Sequence, residues 1–249
     1  MPTPARIPLE VGHATHVGRV RDHNEDALLV TDGLYAVCDG MGGHAAGEVA
    51  SRLVVETLTD AAETGAPTPQ SLTEAIERAN DRLLASAREH PEQSGMGTTA
   101  VVLALAPRGG DGDEPCWLLA NVGDSRAYRW AGEQVEQLTR DHSEVQEMID
   151  AGLLTVGEAA RHPLRNIITR SIGMDPAPEA DLWTLPVLTG ERLLLCTDGL
   201  TAELSDEALA EILDSHDEPQ VAAEALVRAA CDAGGRDNVT VVLIQVPSA

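Results

Sequence analysis

The chain has 249 residues and a formal charge of −24, from 17 Lys+Arg against 41 Asp+Glu, and all of the 17 are arginine. Without lysine there is no Schiff-base or pyridoxal-phosphate chemistry and no GxxxxGK[ST] phosphate loop, each of which needs that ammonium group. The acidic balance and a pI near 4.5 argue against nucleic acid and anionic membrane surfaces as partners and leave divalent cations in play.

From the N-terminus, Met1 to Glu10 is polar and proline-rich, without a signal-peptide pattern, and no later apolar run approaches the roughly 18 residues of a membrane span. The expectation is a soluble, cytoplasmic chain. Short runs VGRV (17–20), DALLV (26–30) and LYAVCD (34–39) read as strands, and Gly47 to Ala62 as a helix. After the loop TGAPTPQ (64–70), a second helix is expected over Ser71 to His90. It opens on the capping-box pattern Ser71-x-x-Glu74 and carries Leu72, Ile76, Ala79, Leu83 and Leu84 on one face. TTAVVLAL (98–105) and CWLLANVGD (116–124) flank the Gly/Asp-rich stretch Pro107 to Pro115, a hairpin with a long turn. AYRW (127–130) is a further strand, and Leu138 to Gly152 reads as a strand end followed by an amphipathic helix. RLLLCTD (192–198) precedes a helix over Glu218 to Ala233, with Pro219 at its start and Gly234-Gly235 at its stop, and VTVVLIQV (239–246) closes the chain. Several strand runs are apolar at consecutive positions, as strands covered on both faces are. Hairpins without intervening helices exclude a doubly wound parallel sheet, so the expected class is α+β, a β-sandwich core flanked by helices.

Three of these runs end in aspartate: LYAVCDG, WLLANVGDS and RLLLCTDG. A fourth acidic site, GGRDN (234–238), precedes the last run. Any one such Asp could simply cap a turn. Four at comparable strand ends would repel one another and need a counter-ion, and hard cations such as Mg²⁺ and Mn²⁺ prefer carboxylate and carbonyl oxygens. The four cysteines, Cys38, Cys116, Cys196 and Cys231, form no CxxC pair and read as reduced and buried; Cys231 and Arg236 lie one residue too close for a cysteine-phosphatase loop.

The ordered blocks carry a resemblance. They are Arg21-Asp-His-Asn-Glu25-Asp26, Asp39-Gly40-Met41-Gly42-Gly43-His44 with Gly47-Glu48, Gly95-Met96-Gly97-Thr98-Thr99 and Gly123-Asp124-Ser125-Arg126. They continue through Asp141-His142-Ser143, Ile168-Thr169-Arg170, Thr197-Asp198-Gly199-Leu200 and Arg236-Asp237-Asn238. Over nearly the whole chain they resemble the bacterial branch of the PP2C (PPM) metal-dependent protein serine/threonine phosphatases. The resemblance implies a four-layer αββα sandwich, two antiparallel-rich sheets flanked by helices, forming a single catalytic domain over 1–249 with a flap at about 141–170. It implies two Mn²⁺ or Mg²⁺ ions. Asp39 would bridge them, Asp198 and Asp237 would complete the first, and the Gly40 carbonyl and, through water, Glu25 would serve the second. Asp26 would support the site, and Asp124 with Asp198 would match a third, weaker ion.

Two cations about 3.5 to 4 Å apart lower the pKa of a bridging water, so that a nucleophile exists near neutral pH without a protein nucleophile. Arg21 would take the phosphate with its planar fork, supplying locally the attraction that the overall charge denies. Eukaryotic relatives carry a His two residues after the bridging Asp, where this chain has Met41; His44 is the nearest substitute for substrate contact or proton donation, or else a solvent-facing helix residue. His142 and His162 border the flap, whose residues otherwise read as scaffold. Cys38 and Cys196 read as packing, His13, His16, His90 and His216 as surface, Trp117, Trp130 and Trp183 as core or sheet-edge packing, and Arg126 and Arg170 as partners of the carboxylate cluster. The implied function is dephosphorylation of phosphoserine and phosphothreonine in proteins, countering eukaryotic-like Ser/Thr kinases, by a monomer. The alternatives are a partner-switching phosphatase acting on an anti-sigma antagonist and a catalytically silent signalling module. Whether the chain stands alone or belongs to a longer, anchored protein stays open.

Overall fold

In the computed structural model, which describes residues 7–42, 46–107, 114–132 and 134–248, eleven strands form two antiparallel sheets. The first sheet contains β2 (Asp26–Val30), β3 (Leu34–Met41), β5 (Ala100–Pro107), β6 (Pro115–Val122) and β9 (Asp181–Pro186) in that spatial order, with the short β4 (Gly97–Thr98) added to the end of β3. The second runs β1 (Glu10–His16), β11 (Val239–Gln245), β10 (Arg192–Cys196), β7 (Arg126–Trp130), β8 (Val135–Gln137).

The consecutive apolar positions are explained by three packed layers. In β3, Tyr35 and Val37 point between the sheets, where they meet Val101, Leu103, Trp117 and Leu119 of their own sheet and Leu193, Leu195, Val242 and Ile244 of the other. Leu34, Ala36 and Cys38 point the opposite way, into a second cluster with α1 (Ala46–Ala62) and α2 (Pro69–Glu89). The outer face of the second sheet, with Leu194, Val241 and Leu243, packs on α6 (Asp206–Ser215) and α7 (Pro219–Ala233). The order is helices, sheet, sheet, helices, as expected for the four-layer sandwich. The interior is built almost wholly from aliphatic side chains, with Trp117, Tyr35 and Tyr128 as its large buried aromatics.

Local details correct the sequence reading. The run 17–20 is a turn and not a strand; the strand is the preceding β1, whose register pairs Glu10 with Gln245 through His16 with Val239. The second helix starts earlier than Ser71: Thr68 is its N-cap, Pro69 its first residue, and the capping box joins Thr68 to Ser71 and does not involve Glu74. β8, β9 and α6 were not anticipated. The hairpin of β5 and β6 is confirmed from Ala100↔Val122 to Pro107↔Pro115, and its tip lies outside the described residues. Between β8 and β9, the segment expected to form the flap holds two short helices, α3 (Glu144–Asp150) and α4 (Val156–Ala159). The four thiols are free and buried.

Candidate metal centre

All the acidic residues that ended strand runs in the sequence lie at one end of the two sheets. Asp39 sits near the end of β3 and is paired with Asp26 at the start of β2. Asp124 follows β6, Asp198 opens α5 (Asp198–Thr201) directly after β10, and Asp237 precedes β11. Neighbouring strands of a sheet are about 4.8 Å apart, so carboxylates leaving adjacent strand ends cannot avoid one another.

The electrostatics show the convergence. The Asp39 carboxyl is held well above the usual carboxylate range, first by burial and then by Asp26, Asp198, Asp124 and Asp237 in turn. Asp124 is raised by burial and by Asp198. Asp198 is raised by burial and by Asp237, against a hydrogen-bonding contact with Asp39. Asp26 is raised to about 7, again with burial as the leading cause. Glu25 is raised by burial despite the opposing charge of Arg21. Like charges in a low-dielectric setting each disfavour the ionised form, and a bound cation reverses that logic.

Second-layer bonds hold the carboxylates in place. Asp39 N–H donates to Thr99 Oγ1 (2.9 Å), and the Thr98 hydroxyl and Thr99 N–H both donate to the Asp39 carbonyl. Thr197 Oγ1 donates to Asp26 Oδ2 at 2.9 Å. Asn238 is a clamp: its Nδ2 donates to the carbonyls of Val17 and His23, its Oδ1 accepts from Glu25 N–H, and its own N–H donates to Asp237 Oδ1. Gly40 allows the backbones to meet, since a Cβ there would lie 2.5 Å from the Glu25 carbonyl oxygen and closer still to that of Gly47. Arg21 Nη2 donates to Asp237 Oδ2 at 2.7 Å with about half its side chain exposed.

The donor set fits hard divalent cations. Asp198 Oδ1 and Asp26 Oδ1 are buried acceptors without a hydrogen-bond partner, which is costly unless a cation or water completes them. Among the described residues no three His, Cys, Asp or Glu side chains close on a single point. Carboxylates taken in pairs, with backbone oxygen and water filling the remaining positions, suit Mg²⁺ and Mn²⁺, which usually keep several waters.

The structure therefore brings together Arg21, Glu25, Asp26, Asp39, Gly40, Asp124, Asp198 and Asp237. His44 lies outside the described residues. Cys38 and Cys196, beside the acidic cluster, are wholly buried, and burial pushes the Cys196 thiol up to about 12, far from a nucleophilic thiolate. Two expectations need correction. Arg170 bonds Asp181 and not the clustered aspartates, whereas Arg126 bonds Asp141 while its charge still opposes the rise of Asp124 and Asp198; and His216 is partly buried, its Nδ1 2.9 Å from the Ile212 carbonyl. The supporting roles of Thr99, Thr197 and Asn238 were not read from sequence, although all three stand inside the motif blocks.

A family model described as protein phosphatase 2C matches residues 15–230. A serine/threonine phosphatase, Stp, of Listeria innocua is 36% identical over 242 residues, covering 93% of each chain. The serine/threonine protein phosphatase PstP of Mycobacterium tuberculosis is 38% identical over 250 residues, 97% of this chain but 46% of that longer protein. A crystal structure of the PstP catalytic domain in complex with two manganese ions superposes with a TM-score of 0.85 at 34% identity, covering 96% of this chain and 99% of that one.

Proposed function

This chain belongs to the protein phosphatase 2C family and is a metal-dependent serine/threonine protein phosphatase; from that premise we propose which of its residues do the work. Asp39 would be shared by two Mn²⁺ or Mg²⁺ ions, with Asp198 and Asp237 holding the first and the Gly40 carbonyl and, through water, Glu25 holding the second. Asp26 would support the site by hydrogen bonding, and Asp124 with Asp198 would hold a third, weaker ion. When bound, the ions supply an activated water for in-line attack on phosphorus and neutralise the phosphoryl charge.

The chain's own contribution is to bind and orient. Arg21 uses one N–H on Asp237, which leaves the rest of its fork for phosphate oxygens, a geometry that fixes the ester in line better than a point charge does. Burial of the thiols argues against a cysteinyl-phosphate intermediate. His44 is assigned to substrate contact or proton donation to the leaving alkoxide. The catalytic domain extends over 1–249 with its flap at about 141–170. The substrates we assign are proteins phosphorylated by eukaryotic-like Ser/Thr kinases, in the cytoplasm, acted on by a monomer. No helix among the described residues is long and apolar enough to cross a membrane.

The observation that carries the assignment is the convergence of Asp39, Asp124, Asp198 and Asp237 on one end of two sheets, with the orphaned oxygens of Asp198 and Asp26 among them. The test is hydrolysis of a phosphothreonine peptide with and without added Mn²⁺. Turnover should require the metal and vanish in Asp39→Asn and Asp198→Asn; turnover without metal, or undiminished in both variants, refutes the assignment.

A further inference from the structure

His142 has a set of bonds that packing alone does not require. It is 5% exposed, and it grips one residue twice: its own N–H donates to the Gly123 carbonyl at 3.0 Å while its Nδ1 accepts the Gly123 N–H at 3.1 Å. An Nδ1 that accepts carries no proton, so the neutral ring bears its hydrogen on Nε2. Nε2 lies 3.2 Å from Asp181 Oδ2, to which it donates, and Asp181 Oδ1 accepts from Arg170 Nη1 at 2.9 Å. The His142 carbonyl accepts Thr169 N–H at 2.8 Å, and the neighbouring Ser143 bridges Ile168.

His142 thus joins three elements: its ring ties the turn carrying Gly123 and Asp124 to the edge strand β9, and its backbone carbonyl takes the Thr169 N–H of the segment 167–170. The turn has little other latitude, since Gly123 sits at φ +108° and a Cβ there would lie 2.5 Å from Thr99. We propose that His142 is a positioning residue that locks the Gly123–Asp124 turn against the segment 167–170 and β9, and so holds Asp124 where it can pair with Asp198 around a cation. This rests on the assignment of Asp124 to a cation. Asp181 fixes the tautomer that makes the lock possible, as carboxylates do for ligand-orienting histidines, and such outer partners typically change metal affinity about 10- to 100-fold when removed.

Two near-isosteric substitutions separate the two ring nitrogens. His142→Asn puts an amide oxygen near the Nδ1 position and keeps an acceptor for Gly123; His142→Gln puts its amide near Nε2 and loses that acceptor. The assay is Mn²⁺ calorimetry on the whole chain, with amide hydrogen exchange at Gly123 as a second readout. His142→Gln should weaken the weakest Mn²⁺ site about 10- to 100-fold and speed Gly123 exchange, while His142→Asn stays near the unaltered protein. Asp181→Ala, at a side chain one-third exposed and so tolerable to the fold, should reproduce the His142→Gln effect by freeing the tautomer. Equal behaviour of the Asn and Gln variants, or unchanged Gly123 exchange in folded His142→Gln and Asp181→Ala, overturns the proposal. If Asp124→Asn binds Mn²⁺ as the unaltered protein does, the cation assignment fails instead, and Gly123 exchange alone then decides whether His142 holds the turn.

Discussion

Adding one methyl group at Gly40 tests whether the backbones at this site touch as closely as the structure shows. The Cβ of Gly40→Ala would sit 2.5 Å from the Glu25 carbonyl oxygen and nearer still to the Gly47 carbonyl. Both obstacles are backbone: Gly47 lies in the first turn of α1, and the Glu25 carbonyl is held by Gly40 N–H at 3.2 Å and Ser51 Oγ at 2.6 Å. No rotamer change relieves the clash, so either β3 or the start of α1 must move. Overpacking of this kind costs about 1 to 3 kcal/mol. At about 2 to 4 °C per kcal/mol for a domain this size, the expected fall in Tm is about 2 to 12 °C. Gly157 is the internal control, because a Cβ there meets nothing within 4 Å. Gly157→Ala, inside the helical turn α4, should be neutral or stabilise by up to about 1 kcal/mol. Calorimetric melting of both variants in chelator reads the steric effect, and Mn²⁺ titration then reads whether the shifted Gly40 carbonyl and Glu25 still bind metal. If Gly40→Ala melts with Gly157→Ala and binds Mn²⁺ as the unaltered chain does, the close approach is wrong and Gly40 has no role at the site.

Asp26 gives the metal-free protein a pH dependence of known sign. Its carboxyl is raised to about 7 from 3.8, so the folded state holds a proton that the unfolded state releases, and stability falls as pH rises between those values, by about 1.4 kcal/mol per unit at most. Urea unfolding in chelator at pH 5, 6, 7 and 8 should show a shallower slope for Asp26→Asn, and an identical slope would refute the burial of that carboxylate. Each Mn²⁺ site filled at about 100 times its dissociation constant should add about 2.7 kcal/mol to unfolding free energy, measured by the same titration, and Asp39→Asn should lose most of the gain. Thiol alkylation of the folded protein should leave phosphatase activity intact, since all four cysteines are buried; inactivation in step with labelling of Cys38 or Cys196 would contradict the structure. Leu119→Ala, at a fully buried position between the two sheets, should cost about 2 to 5 kcal/mol in chemical denaturation while the Mn²⁺ stoichiometry of the folded fraction stays unchanged.

Which parts of the fold were legible follows from how each segment is buried. β3, β5, β10 and β11 are apolar at both parities because helices cover one face and the other sheet covers the second, and those runs were read as strands with nearly the right limits. The unread strands lie at edges. β1 (EVGHATH) and β9 (DLWTLP) carry polar residues on half-exposed faces, and β8 has three residues, so none shows the pattern of a covered strand. The start of α2 was misplaced because two hydroxyl residues, Thr68 and Ser71, cap each other across Pro69, and a Ser followed by Glu at the third position imitates the same motif. At the site, the aspartates were legible because the same anomaly recurs: one buried run ending in carboxylate can be a capped turn, but four acidic sites at comparable strand ends call for a counter-ion. Thr99, Thr197 and Asn238 were not, because a polar residue within a motif block does not disclose what it bonds: Asn238 reaches Val17 and His23, more than 200 positions away.

The order of motif blocks determined the family and the class of reaction and singled out the acidic residues that the fold gathers at one end of the sheets, because residue type and local spacing are written along the chain. It could not determine that Arg21 rests on Asp237, that Arg126 and Arg170 bond Asp141 and Asp181, or that His142 presents one nitrogen to Gly123 and the other to Asp181. Those pairings join residues up to 216 positions apart. They were decided by which strands the two sheets place side by side, and so by the packing of three apolar layers.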